Sequence, residues 1–95
     1  MAHVYILECA DGSYYVGSTN NLPARLHQHQ EGHGAAYTRR RRPVRLVFNQ
    51  EYASVADAYS LEKQIQGWGR AKREALIRGD FDLLPDLARK RFDRS

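Results

Sequence analysis

A single cysteine, Cys9, rules out an internal disulfide, and its place in an apolar strand-like run makes it a small core residue suited to a reducing compartment. No apolar stretch approaches the roughly 20 residues that span a bilayer. No charged leader followed by an apolar run opens the chain either, so a cytoplasmic location is expected. Repeats and low-complexity segments are absent. No recognition helix, zinc finger or appended module is visible in the sequence either. Ninety-five residues make one domain, expected over 1–95 with a core of about 3–78 and a short helix and tail over 80–95.

Positive charge is what the chain has in excess: 15 Lys and Arg against 11 Asp and Glu give +4. The surplus falls in the first half, mostly in RRRRPVR, where Arg39, Arg40, Arg41, Arg42 and Arg45 lie together. Such a run reads equally as a solvated loop and as a seat for a polyanion. Tyr37 adds a ring on which a base can stack, and Lys72, with Arg70 and Arg73, either extends the track or is ordinary helix charge.

HVYILEC and SYYVGS flank Asp11-Gly12, a strong hairpin signal. A helix follows, capped by Asn20 or Asn21, with Pro23 in its first turn and Gly32 or Gly34 at its end. A loop over Gly32 to Pro43 leads to a third strand, with Val44, Leu46 and Phe48 on one face and Arg45, Val47 and Asn49 on the other. Ser54 and Asp57 open a second long helix ending near Gly67. RAKREALIRG is a further helix closed by Gly79, and LPDLARKR a last short one. The predicted order ββαβααα is an α+β domain on a small antiparallel sheet.

Gly17 inside a strand needs a reason. A three-residue hairpin loop with Gly12 left-handed pairs Tyr5 with Gly17 and Leu7 with Tyr15, and the missing side chain makes room for the Tyr5 ring. Tyr15 then lies diagonally near on the same face. On the first helix Arg25 and His29, four residues apart, share a face and suit an anionic oxygen. A zinc site from His29 and His33 is rejected, since Gly32 and Gly34 break the helix there. On the second, Val55, Ala58, Tyr59, Leu61 and Ile65 outline an apolar face into which Glu62 points. A half-buried carboxylate needs a cation, either an arginine such as Arg25 or a hard divalent ion, and spacing does not choose between them.

With these residues in order, the chain resembles the GIY-YIG nuclease superfamily, in particular its small standalone bacterial members. HVY at 3–5 and YVG at 15–17 stand at the two triplets, ARLHQH supplies Arg25 and His29, and SLEKQIQGWGRAKREALI carries Glu62. The likeness covers roughly residues 3–78 and implies a central three-stranded antiparallel sheet flanked by helices. It further implies a metal-dependent endonuclease that hydrolyses DNA phosphodiesters, with single-stranded and branched DNA among the substrates and repair or recombination as the setting. Tyr5, Tyr15, Arg25, His29 and Glu62 are the implied catalytic residues, with Glu62 holding Mg²⁺ or Mn²⁺. Tyr5 is favoured as the base, Tyr15 as the group orienting water or phosphate, and His29 as the relay; the sequence does not separate the tyrosines. Gly17, Tyr37, Arg39, Arg40, Arg41, Arg42 and Lys72 would hold the substrate. A homodimer and a larger repair complex stay open as partners.

His3 stands where the first triplet has glycine but leaves Tyr5 in place, and Val4 and Val16 replace isoleucines, which are volume-tolerant core changes. The asparagine that many members carry downstream of the glutamate is missing, since Asn49 is the last in the chain. Two other readings stand beside the nuclease: a catalytically silent nucleic-acid-binding domain and an interaction module.

Overall fold

Asp11 and Gly12 turn the chain between its first two strands. The Asp11 carboxylate accepts from the Ser13 amide and hydroxyl, Gly12 takes a left-handed φ of +84°, and Cys9 N–H donates to Ser13 O. This bulged loop gives the expected register, Tyr5 opposite Gly17 and Leu7 opposite Tyr15.

The computed structural model describes residues 1–80. They run β1 (Ala2–Glu8), β2 (Tyr14–Thr19), α1 (Leu22–Glu31), α2 (Ala36–Arg39), β3 (Arg45–Tyr52), α3 (Val55–Gln66) and α4 (Arg70–Arg78). The sheet is three-stranded and antiparallel, in the order β2-β1-β3. The α+β class read from the sequence holds. The short helix read at LPDLARKR lies outside the described residues.

Strand β1 is central and covered on both faces, which is why it reads as a near-continuous apolar run. On one face Tyr5, Leu7, Cys9 and Val44 pack with Leu22 and Leu26 of α1. On the other, Val4, Ile6 and Val16 pack with Ala58, Leu61 and Ile65 of α3 and Ala75 and Leu76 of α4. Each fully buried Leu or Ile in that second cluster stabilises the fold by about 1.5–3 kcal/mol. None of the described helices is long and apolar enough to cross a membrane.

Three sequence expectations are corrected. The segment Gly32 to Pro43 is not all loop, because Ala36–Arg39 form a one-turn helix. Strand β3 does not alternate as read: Ile6 faces Phe48 but Leu7 faces Leu46, so Val47 is the extra residue of a β-bulge. Leu46 therefore stays with Tyr5, while Val47 and Phe48 both join the α3 side. The buried stripe of α3 is also narrower than read. Ala58, Leu61 and Ile65 are covered, whereas Val55 and Tyr59 are 65% and 54% exposed and the Tyr59 ring instead carries the Lys63 ammonium.

A Cβ at Gly17 would come within 2.6 Å of the Tyr5 hydroxyl and 2.8 Å of its ring carbon. Gly17→Ala should therefore destabilise the fold by about 1–3 kcal/mol through overpacking, read as a lower urea midpoint at unchanged slope. An unchanged midpoint would show that the Tyr5 ring can move aside.

Candidate active site

Helix α1 is fixed at both ends. The Asn21 side chain accepts from Ala24 N–H, Pro23 sits in the first turn, and Gly32 closes the helix with a left-handed φ of +84°. Its inner face turns His29 onto the sheet, where the ring is only 1% exposed. His29 Nε2 lies 2.9 Å from the Tyr5 hydroxyl, and its Nδ1 lies 2.8 Å from Thr38 Oγ1 on α2. A zinc ion on this histidine is incompatible with both ring nitrogens being so engaged.

Tyr15 completes an aromatic cluster on the same sheet face. Its ring centroid is 6.4 Å from that of Tyr5 and 5.3 Å from that of His29. Tyr37 of α2 stacks on Tyr15 at 6.2 Å and 26°. Tyr14, Tyr15, Val16, Tyr37, Gln66 and Arg73 line an open cleft of about 320 Å³ beside this cluster.

Glu62 comes from the opposite side. Ser18, which strand alternation turns away from Tyr15 and Gly17 toward α3, donates to Glu62 Oε1 at 2.5 Å. Gln66, one helical turn after Glu62, bridges its Oε2 at 2.8 Å to the Val16 carbonyl at 3.2 Å. The site thus wraps the outer edge of β2, with tyrosines and histidine on one face and the carboxylate on the other. Among the described residues no ion pair joins Glu62 to an arginine or lysine. Of the two cations the sequence left open, the arginine does not appear, and two neutral donors orient the carboxylate instead.

That donor set suits a hard divalent ion. A carboxylate with a neighbouring hydroxyl matches Mg²⁺ or Mn²⁺, which keep several waters and complete their shell from substrate phosphate. No group of three His, Cys, Asp or Glu converges anywhere among the described residues, so Glu62 would be the one protein carboxylate on such an ion.

Burial sets the protonation states. It pushes the Tyr5 phenol up to about 12, against the opposing influence of the nearby Arg25 guanidinium. Burial, then the negative charge of Glu62, raises Tyr15 as well. His29 is lowered below its ordinary value, first by burial and then by Arg25, so it is neutral near pH 7.

The arginine run divides into two pairs. Arg41 bridges Asp11 at 3.0 Å, donates to Tyr37 O and lies 3.9 Å over the Tyr37 ring, tying α2 to the hairpin tip. Arg42 donates to Arg39 O and Gln30 O, closing the ends of α2 and α1. Arg39 and Arg40 are exposed, and among the described residues no ion pair or hydrogen bond engages their side chains. Arg45 pairs with Glu8. Arg73 donates to Ile65 O and Gln66 O, and Arg70 pairs with Glu74 at 2.9 Å, so neither is a free helix charge. Lys72 is exposed, 5.9 Å from the Trp68 ring.

Sequence reasoning missed Thr38, Gly34, Ser18 and Gln66. A Cβ at Gly34 would overlap the His29 ring, so only glycine lets the chain pass there. Ser18 and Gln66 were legible from strand alternation and helical spacing to Glu62; nothing in the sequence signalled Thr38.

An acid whose folded pKa lies above its unfolded value stabilises the fold below the unfolded pKa and loses that contribution as pH rises through the folded one. For Tyr5 the window runs from 10 to about 12. The urea midpoint of the wild type should fall across it, and that of Tyr5→Phe should fall less; equal falls would contradict the buried phenol.

The GIY-YIG catalytic domain model matches residues 1–75. A UPF0213 protein of Bacillus pumilus is 44% identical over 75 residues, covering 79% of this chain and 76% of that one. One from Halobacterium salinarum is 43% identical over 77 residues, 81% of this chain and 100% of the relative. The solution NMR structure of a UPF0213 protein from Bacillus halodurans matches with a TM-score of 0.55 and 42% identity, over 82% of this chain and 84% of that chain. With the family model spanning both tyrosine triplets, the arginine–histidine helix and Glu62, this chain belongs to the GIY-YIG family.

Proposed function

We propose that the chain is an endonuclease that hydrolyses DNA phosphodiester bonds with the help of a divalent metal ion. The observation that carries this reading is the Tyr5 hydroxyl bonded to a buried, neutral His29, with Glu62 oriented across the same strand edge. Hydrolysis needs a base for the attacking water, charge to offset the extra negative charge at phosphorus, and help for the leaving oxygen.

Tyr5 is the base in this account. A phenol with a pKa near 12 is almost never ionised at neutral pH, so it takes the water's proton only as its own passes to His29 Nε2. Tyr5 is fully buried in the free chain, so water must reach its hydroxyl by a movement of the site on binding substrate; Tyr15, which borders the cleft, orients water or phosphate. Arg25 offsets the charge gathered at phosphorus. Glu62, held by Ser18 and Gln66, would hold Mg²⁺ or Mn²⁺. When bound, such an ion polarises the phosphate and stabilises the leaving oxygen. Arg39 and Arg40, free of protein partners among the described residues, and Lys72 hold the backbone on either side.

Labelled single-stranded, duplex and branched DNA should be cut by the wild type in Mg²⁺ or Mn²⁺, and not in EDTA or by Glu62→Ala. Tyr5→Phe should lower kcat by about 100-fold or more, and Tyr15→Phe by less. The reverse order would make Tyr15 the base. Salt-sensitive binding without cutting by any form would leave a nucleic-acid-binding domain.

A further inference from the structure

We propose that Thr38 is a positioning residue: by accepting a hydrogen bond from His29 Nδ1, its hydroxyl holds the imidazole in the one neutral tautomer whose Nε2 can receive the Tyr5 proton. The rate consequence rests on the nuclease reading above; the tautomer itself does not.

The assignment follows from counting protons. Thr38 has one hydroxyl hydrogen, and the Ala35 carbonyl, 3.0 Å from Oγ1, can only accept. Toward Nδ1, 2.8 Å away, the threonine oxygen is therefore left to accept, and Nδ1 carries the hydrogen. Nε2 then presents its lone pair to the Tyr5 hydroxyl at 2.9 Å. The opposite tautomer fails at Thr38. There an unprotonated Nδ1 and the Ala35 carbonyl would both be acceptors competing for the one threonine hydrogen, leaving one of them without it. Tyr5, His29 and Thr38 are each no more than 1% exposed, so no bulk water substitutes for a missing partner. Gly34 holds the ring in place, since any side chain there would overlap it at Nδ1.

The consequence for catalysis balances atom by atom. As the water oxygen bonds to phosphorus, its proton passes to the Tyr5 oxygen while the Tyr5 proton passes to Nε2. Tyrosine is unchanged, and His29 becomes an imidazolium whose Nδ1–H still points at Thr38. That proton returns to solvent after the leaving oxygen departs. With Nε2 already protonated, the second transfer has nowhere to go. A partner that fixes a histidine tautomer in this way is worth orders of magnitude in rate in hydrolytic triads.

Two measurements test this. The imidazole ¹⁵N shifts of His29 in the free wild-type protein at pH 7 should report a protonated Nδ1 and an unprotonated Nε2; the reverse pattern overturns the assignment without any substrate. On a labelled branched DNA in Mg²⁺, Thr38→Val should lower kcat about tenfold or more at unchanged KM, and Thr38→Ser should restore it to within about threefold. Equal kcat for folded Thr38→Val and wild type would overturn the positioning role. Should the valine variant not fold, a serine variant with the wild-type ¹⁵N pattern but kcat lowered as far as tenfold would do the same. A wild type that cuts no DNA would defeat the nuclease reading, while the ¹⁵N pattern would still decide the tautomer.

Discussion

One buried contact organises this chain: the Tyr5 ring laid over Gly17, with its hydroxyl on His29. It pins the hairpin register, because any other pairing would put a side chain where the ring lies. It also docks α1 on the sheet through a polar bond in a fully covered position, where an unpaired hydroxyl would cost about 1–3 kcal/mol. The chain around it is built to keep that bond. Thr38 and Gly34 shape the far side of the imidazole, and Arg41 and Arg42 hold α2, which carries Thr38, against the hairpin and the end of α1.

The second constraint is the outer edge of β2, which no other strand pairs among the described residues. An unpaired strand edge invites pairing with another chain, and here Gln66 covers the Val16 carbonyl while holding Glu62. Because strand residues alternate, the same six-residue element sends Tyr15 and Gly17 to one face and Ser18 to the other. Tyr15 and, through Ser18, Glu62 are thereby brought to one strand edge from opposite faces. Neither needs a long loop. The neutral donors Ser18 and Gln66 orient Glu62 without cancelling its charge, which an arginine would have done.

Much of this was legible in the sequence for specific reasons. Asp11-Gly12 and the strand-interior Gly17 fixed the register together, and the Asn21, Ser54, Gly32 and Gly79 caps marked the helices. The bulge at Val47 was not legible, since no glycine announces it and Leu46, Val47 and Phe48 are interchangeable as strand formers. Helix α2 is one turn with no side-chain cap, too short for a period to show. Its Thr38 mattered through a contact nine residues back, set by the Gly32 turn. The arginine run hid two structural members among free ones, because charge content says nothing of which guanidinium meets a carbonyl. Glu62 was read correctly as half-buried, but its partners were neutral, and a search for an opposite charge passes over Ser18 and Gln66.

The account's central claim is that both faces of β2 serve one site at its edge. Titrating Mn²⁺ into ¹⁵N-labelled protein, with and without a short DNA, tests it by paramagnetic broadening. The account predicts that the Ser18, Gln66 and Tyr15 amides broaden together at the lowest Mn²⁺, and that Glu62→Gln abolishes the effect. Broadening centred away from the β2 edge, or unchanged in that variant, would contradict it.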